Sequence, residues 1–260
     1  MKKILVSAIS FVNERKQGSE IYTRFAKRLI DDVIKKTPWD VMVSTNRPDL
    51  FDDVTNPNDR VFIKEDKLEN HKTHVGAFNQ LLKFSAIKDV NSSYDYVLYM
   101  DCDAGFTEQV NVEDVDRMIV HWENNGFDMV ALRTDATYDW AEKEFKETTD
   151  FNSWPKPLFN AKFLFYGIHP EWSGAKLPSE HVFLVKNTER LSLMAKHFED
   201  FCTQFETQDE NHPVTYDMEA FEIGISAHLA GINMGEMGWG NQIQILKVGF
   251  NANNWEKVKI

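Results

Sequence analysis

The sequence predicts an α/β fold in which a mostly parallel sheet is flanked by helices and is followed by an elaborated, aromatic-rich second half. Three observations lead to this prediction. Short apolar runs alternate with amphipathic stretches through residues 1–132, short polar turns join them, and the strongest apolar run ends abruptly at Asp101. Strands that alternate with helices in this way form parallel sheets with helices on both faces. Functional side chains are therefore expected at the carboxyl ends of the strands.

The first half is expected to contain five strands and three helices. A helix begins at Ser19, because apolar side chains then recur every four residues from Ile21 to Val33, and Pro38 ends it. Gly126 ends another predicted helix, as glycine commonly does just after the last turn. The predicted strands are 4–9, 41–43, 61–63, 94–100 and 127–132, and the predicted helices are 19–37, 75–87 and 112–125.

The pattern changes after Arg133. Ten of the 35 residues from 138 to 172 are aromatic, and no strand or helix period persists among them. Most of the Phe rings among them are expected to form a second small core. Farther along, the predicted strands are 181–185 and 243–248, and the predicted helices are 188–205 and 217–230. Because no repeat or linker divides the chain, we expect one domain, 1–260, with halves 1–132 and 133–260.

The motif with the most chemical content is Asp101-Cys102-Asp103, at the end of the strand predicted for 94–100. In extended backbone, positions i and i+2 project to the same side, so both carboxylates can reach one point. Two like charges there need a cation between them. Mg²⁺ and Mn²⁺ take one or two carboxylates and complete their shell with substrate phosphate oxygens. Aspartates also occur in solvated turns, but the position after a strong strand favours a metal–diphosphate site.

Three segments carry a resemblance to a known family. They are Ile-Leu-Val-Ser at 4–7, Val-Met-Val-Ser-Thr-Asn-Arg-Pro-Asp-Leu-Phe at 41–51, and Tyr-Asp-Tyr-Val-Leu-Tyr-Met-Asp-Cys-Asp at 94–103. Over roughly residues 3–132 the chain resembles the nucleotide-diphospho-sugar transferases, glycosyltransferases with the GT-A (Rossmann-like) fold and an Asp-x-Asp motif. The resemblance implies a single GT-A domain whose first half binds the nucleotide sugar and whose second half binds the acceptor.

The resemblance also implies a donor site. Asp103 would be the direct metal ligand, and Asp101 would contact the metal or the ribose. The metal would be Mn²⁺ or Mg²⁺, and the donor a nucleotide-diphosphate sugar, with UDP-sugars favoured. Phe78 can instead belong to the core, and Lys72 and Lys83 can instead be solvated. The implied donor contacts are Ser7, Ala8, Ile9, Ser10, Thr45, Asn46, Arg47, Lys72, Phe78, Lys83, Asp101 and Cys102.

The second half is expected to carry the catalytic acid and the acceptor site. The resemblance points to Asp217 and Glu219 at the start of a helix, where one carboxylate would act as a general base or stabilise an oxocarbenium-like state. Either acid can instead cap the helix, where its dipole favours anions. The expected acceptor contacts, suited to stacking on or bonding with sugar rings, are Trp140, Trp154, Trp172 and His181.

Composition limits the partners. The formal charge is −12, which disfavours a non-specific duplex binder, so nucleic acid enters only as an acceptor, such as a modified DNA base of a phage type. The expected acceptors are otherwise glycans or other hydroxyl compounds. Two cysteines cannot form a disulfide scaffold. We expect no transmembrane segment and no signal peptide, and a cytoplasmic location, in a host cell if the protein is viral.

Two alternatives remain open. A haloacid-dehalogenase-type phosphatase also ends a strand in Asp-x-Asp and uses the first acid as a nucleophile. Its motif normally ends the first strand, and its usual Thr or Val is Gly105 here. The other alternative is a non-catalytic module that binds nucleotide sugars. P-loop and dinucleotide-binding fingerprints are both missing from the sequence.

Overall fold

The computed structural model describes residues 1–11, 19–71, 75–147, 163, 166–204, 219–237 and 245–250. The described chain forms an α/β fold around one seven-stranded sheet, with two further two-stranded sheets. The strands are β1 (Lys3–Ile9), β2 (Asp40–Thr45), β3 (Val61–Glu65), β4 (Tyr96–Met100), β5 (Ala104–Phe106), β6 (Met129–Ala131), β7 (Thr134–Thr137), β8 (Lys176–Pro178), β9 (Val182–Lys186), β10 (Met234–Glu236) and β11 (Val248–Phe250). The longer helices are α1 (Ser19–Lys36), α2 (Val75–Lys88), α3 (Val112–Asn124), α4 (Tyr138–Glu147), α5 (Glu189–Thr203) and α6 (Glu219–Leu229).

The main sheet is mostly parallel, as the sequence predicts. Its strand order is β10-β6-β9-β4-β1-β2-β3, and only β9 runs antiparallel to its neighbours. From β1 the chain moves outward through β2 and β3, and it then crosses back to place β4 on the other side of β1. This reversal is a topological switch point, and the crevice outside the carboxyl ends of β1 and β4 is where ligands bind in open α/β sheets.

Each face of the sheet packs against helices. Val6 and Phe84 belong to the core on one face, which α2, α5 and α6 cover. Leu5, Leu29 and Trp122 belong to the core on the other face, which α1 and α3 cover. Neighbouring residues of β1 enter different cores because side chains alternate along a strand. Since both faces are buried, the strands read as continuous apolar runs rather than alternating ones.

The helices of the first half follow their local signals. On α1, the predicted apolar face is buried at Phe25, Leu29 and Val33. The helix ends in two lysines, which suit the negative end of the helix dipole. The Asn111 side chain caps α3 by accepting hydrogen bonds from the first-turn N–H groups, and Gly126 with a φ of 76° follows its end.

Two predictions for the second half are wrong. In its described part, the aromatic segment does not form a separate small core: Tyr138, Phe163 and Trp172 join the main core above the sheet. The strand predicted at 243–248 is also wrong in its described part, because residues 245–246 are helical and β11 begins at Val248. Ring packing and strand pairing both depend on distant partners, and local periodicity does not reveal them.

The second-half helices start and stop within a few residues of their predicted bounds, as α5 and α6. The short strands β5, β7, β8 and β10 were not predicted from the sequence. Among the described residues, no helix combines the length and the apolar character that crossing a bilayer requires.

Gly224 marks the closest approach of α6 to β8. A methyl group at this position would lie 2.3 Å from the main-chain oxygen of Lys176 and 2.9 Å from Cδ2 of Leu177. Since backbone yields little, Gly224→Ala is expected to lower the free energy of unfolding by about 1–3 kcal/mol in urea denaturation. The control Ser226→Ala removes a buried hydroxyl that has no hydrogen-bond partner within the described part. A change below about 1 kcal/mol is expected for it, and equal losses in both variants would contradict the close-approach explanation.

Candidate active site

The candidate site lies at the carboxyl edge of the sheet, where β4 ends in the acidic motif. The antiparallel pairing of β4 with β9 aligns Met100 with Val182, which sets His181 opposite Asp101. The main-chain N–H of Asp101 donates to the carbonyl of His181 over 2.9 Å. The one antiparallel strand of the sheet therefore brings a residue of the second half to the motif.

Asp101 accepts hydrogen bonds on both carboxylate oxygens. The Tyr99 hydroxyl donates to Oδ1 over 2.8 Å, and Nδ1 of His181 lies 2.7 Å from Oδ2. Tyr99 and Asp101 are two residues apart on extended backbone, so their side chains share one side of the strand. The Asp101 carboxylate is thus held in one orientation by a buried phenol and a histidine.

Lys83 reaches the same carboxylate from α2. Its side chain is 4% exposed, and its ammonium group lies 3.7 Å from Oδ1 of Asp101 and donates to Glu219. It also donates to the carbonyl oxygen of Glu180 over 3.2 Å and lies 4.5 Å from the ring centre of Tyr99. One buried cation therefore joins β4, the start of β9 and the start of α6.

The charges shift the pKa values at Asp101 and His181. Burial works against the Asp101 carboxylate, but Lys83 and the hydrogen bond with His181 outweigh it and hold the pKa of Asp101 below its usual value. The hydrogen bond with Asp101 raises the pKa of His181 to about 9, although burial opposes the shift. At neutral pH the ionised Asp101 is accordingly flanked by two cationic side chains.

Asp103 and Glu219 shift the other way. Burial, followed by the negative charge of Asp101, raises the pKa of Asp103 above its usual value. Burial also raises the pKa of Glu219, with Lys83 opposing and Asp101 adding to the shift. The surroundings of Asp103 thus disfavour its charged form, and an added positive charge would relieve this effect.

The backbone at the motif differs from the expected extended form. The N–H of Ala104 donates to the carbonyl of Asp101 over 3.0 Å, which closes a turn over residues 101–104. The two acids therefore do not project as neighbours on one strand face. They remain electrostatic neighbours, since the Asp101 charge acts on the Asp103 carboxyl.

The comparisons with known proteins add no assignment. No protein-family model matches the chain, and a search of curated proteins finds no match.

The donor chemistry fits a divalent cation of the Mg²⁺ or Mn²⁺ type at Asp103. That carboxylate is half-buried beside another acid, which raises its pKa, and a bound cation would relieve this repulsion. Asp101 already accepts two hydrogen bonds from the protein. It would therefore contribute negative charge beside the cation, and Asp103 would supply the ligating oxygen. Within the described residues, no three His, Cys, Asp or Glu side chains are grouped for a metal. A site of one or two carboxylates completed by substrate phosphates does not need such a group.

The expected nucleoside contacts lie at the ends of β1 and β2. Ser7, Ile9 and Thr45 are buried, and Ala8 packs beside the core that includes Val6. The Ser7 hydroxyl has no hydrogen-bond partner among the residues the structure describes. Ser10 lies directly after β1, at the carboxyl edge.

Asn46 and Arg47 follow β2 at the same edge. Oδ1 of Asn46 accepts from the N–H of Phe11 over 2.9 Å, which ties the ends of β1 and β2 together. Arg47 is exposed and forms a two-pronged hydrogen bond with Asp49. The structure therefore brings this pair of expected contacts beside the end of β1.

The expected contacts from α2 separate into two groups. Lys83 joins the acidic motif, and Phe78 is fully buried in the core, where it has a packing role. Lys72 lies outside the described residues. Cys102 is buried, and burial, with the charges of Asp103 and Asp101, raises the pKa of its thiol.

The residues expected to bind the acceptor do not form one cluster. His181 is at the motif, whereas Trp172 is 6% exposed and packs edge-on against Tyr138 in the core, which covers most of its stacking surface. Trp140 is half-buried on α4. Trp154 and Asp217 lie outside the described residues, while Glu219 is the first residue of α6.

Sequence reasoning missed several members of the site. Tyr99 carried a usable signal, since it precedes Asp101 by two residues in a predicted strand. The carbonyl of Glu180 and the pairing of Lys83 with Glu219 carried none, because 136 positions separate those two side chains. Arg28, which donates to the main chain just after the motif, was likewise hidden among the polar residues of α1.

Proposed function

We propose that the chain is a metal-dependent glycosyltransferase of the GT-A type, which moves a sugar from a nucleotide-diphosphate sugar to a hydroxyl acceptor. The observation that carries the proposal is the placement of Asp101 and Asp103 at the switch-point crevice, with Lys83 joining Asp101 to Glu219. Nucleotides bind at such crevices in open α/β sheets. Asp101 and Asp103 therefore lie where the proposed diphosphate and its cation would bind.

The donor half supplies binding and charge balance. Asp103 would hold Mn²⁺ or Mg²⁺, which would neutralise the diphosphate and stabilise it as a leaving group. The residues at the ends of β1 and β2 would hold the nucleoside of the donor, for which UDP-sugars are favoured. Asp101, fixed by Tyr99 and His181, keeps the negative charge beside Asp103 in place.

Glu219 is the proposed base for the acceptor hydroxyl. Burial keeps the pKa of Glu219 above that of an ordinary glutamate, while its contact with Lys83 favours the ionised form. A base is more effective when its pKa is raised toward the working pH. Glu219 Oε would receive the hydroxyl proton, and Lys83 would keep this oxygen close to the acidic motif.

The same contacts argue against the phosphatase alternative. A phosphatase nucleophile has to present a carboxylate oxygen to phosphorus. Asp101, the first acid, accepts hydrogen bonds on both oxygens and lies beside Lys83. Its role is therefore better described as structural and electrostatic.

Calorimetric titration with UDP- and GDP-sugars, with and without Mn²⁺, tests the proposal. At least one nucleotide sugar is expected to bind at least about tenfold more tightly with Mn²⁺ than without it. The same nucleotide sugar is expected to be slowly hydrolysed when no acceptor is present. Metal-dependent binding with neither hydrolysis of the nucleotide sugar nor transfer to glycan or DNA acceptors would identify a non-catalytic module. No binding of any nucleotide sugar would refute the proposal.

A further inference from the structure

The acidic motif is followed by β5, and α1 holds one edge of this strand with side chains. Nη2 of Arg28 donates to the carbonyl oxygen of Ala104 over 2.7 Å and lies 3.5 Å from that of Asp103. Two helical turns farther on, Lys36 donates to the carbonyl oxygen of Phe106. Carbonyls two residues apart on a strand point to the same edge, so Arg28 and Lys36 occupy the place of a neighbouring strand.

The other edge of β5 is paired with β11. Asp32 completes the array on α1, because its carboxylate lies 2.6 Å from Nζ of Lys36 and 3.9 Å from Nε of Arg28. The strand after the motif is thus held from both sides.

Gly105 supplies a second observation for the same contact. A methyl group there would lie 2.6 Å from Oδ2 of Asp32 and 3.0 Å from Nη2 of Arg28. The helix therefore approaches β5 so closely that only glycine leaves room for the two side chains. An alanine would displace the ends of flexible side chains rather than backbone, so it would loosen the Arg28 contact without disrupting the core.

We propose that Arg28 is a positioning residue for Asp103. By holding the carbonyl oxygens of Asp103 and Ala104, its guanidinium fixes the turn that presents the Asp103 carboxylate to a metal-bound diphosphate. The proposal rests on the proposed function for its consequence, but the ordering of the turn can be measured separately. Outer contacts that orient a ligand typically change metal affinity by about 10- to 100-fold when removed.

Arg60 offers a matched control. Its side chain is 18% exposed, as is that of Arg28, and it also donates to main-chain carbonyls, including that of Thr37 over 2.8 Å. It lies at the start of β3, away from the acidic motif. Removing either guanidinium therefore costs similar structural contacts, and only one of them touches the motif.

The first readout is the reaction of Cys102 with a thiol reagent in the full chain, with the labelled cysteine identified by mass spectrometry. Cys102 is 8% exposed and lies inside the turn, so its labelling rate reports how often the turn opens. Arg28→Met and Gly105→Ala are expected to speed labelling by about tenfold or more, while Arg60→Met and Arg28→Lys stay closer to the unmodified chain. Equal rates in Arg28→Met and Arg60→Met would overturn the proposal.

The second readout is UDP affinity with and without Mn²⁺. Arg28→Met is expected to weaken Mn²⁺-dependent binding by about tenfold or more and to leave metal-free binding unchanged. If Arg28→Met weakened metal-free as well as Mn²⁺-dependent UDP binding, or if Arg60→Met weakened Mn²⁺-dependent binding equally, the role of Arg28 would be generally structural and the proposal would be overturned. If the unmodified chain binds no nucleotide, the proposed function fails, and the labelling rates still decide whether Arg28 orders the Asp103 turn.

Discussion

Lys83→Met is expected to lower the free energy of unfolding by about 3 kcal/mol, because two half-buried acids would lose the buried cation that they share. Lys83 contacts Glu219 and lies 3.7 Å from Oδ1 of Asp101. Methionine has a similar volume, so the loss reports the missing charge rather than a cavity. Urea denaturation followed by circular dichroism measures the change. The same variant is expected to lose at least about 100-fold in sugar transfer, because Glu219 is no longer held at the motif.

A second substitution separates charge repulsion from simple damage. Glu219→Gln in the Lys83→Met background removes the charge that has lost its cation, whereas Asp101 keeps His181, so the change is expected to restore part of the lost stability. In the unmodified chain the same change is expected to hold or raise stability, because burial raises the pKa of Glu219 and its ionisation therefore opposes folding.

The control is Lys88→Met on the same helix. Lys88 is exposed and lies 3.4 Å from Glu199, so a change of about 0.5 kcal/mol or less is expected. Equal losses at Lys83 and Lys88, or no recovery in the double variant, would contradict the shared-cation explanation.

Asp103→Asn is expected to weaken Mn²⁺-dependent binding of the nucleotide sugar by about 100-fold or more, because the neutral amide lacks the negative charge that a carboxylate offers to a divalent cation. Stability is expected to hold or to rise. Burial and the Asp101 charge raise the pKa of Asp103 in the folded chain, so ionisation at neutral pH opposes folding, and the neutral amide removes that cost. Thermal unfolding and calorimetric titration measure the two effects.

Asp101→Asn is the matched comparison two residues away. The Asp101 carboxylate is stabilised by Lys83 and His181 in the folded chain, and its pKa is held below the usual value. Its neutralisation is therefore expected to lower stability. If Asp103→Asn lowers stability as much as Asp101→Asn does, the two acids do not have the separate roles that their surroundings indicate.

The first half of the fold was predictable because its signals are local. The apolar face of α1 repeats within the helix, as burial of Phe25, Leu29 and Val33 confirms. The buried strand β4 is a continuous run of large apolar residues, and it ends at the first polar position, Asp101. These patterns are carried by residues a few positions apart.

The second half was less predictable because its partners are distant. β9 was expected as a strand, but nothing in its sequence indicates that it runs antiparallel between β4 and β6. Trp172 is a predicted acceptor contact, and the structure packs it against Tyr138 and Phe221. An aromatic side chain suits either setting, so its sequence context alone could not decide between them.

The sequence by itself determined that Asp101 and Asp103 follow a buried central strand, because hydrophobic run length and an abrupt polar stop are properties of neighbouring residues. Only the tertiary structure decided that the pKa of Asp101 is lowered while the pKa of Asp103 is raised. Lys83 and His181 reach Asp101 from α2 and the start of β9, and Arg28 reaches the turn beyond Asp103 from α1. The electrostatic energy of a carboxylate depends on charges within a few ångströms, and those charges come from parts of the chain that only folding brings together.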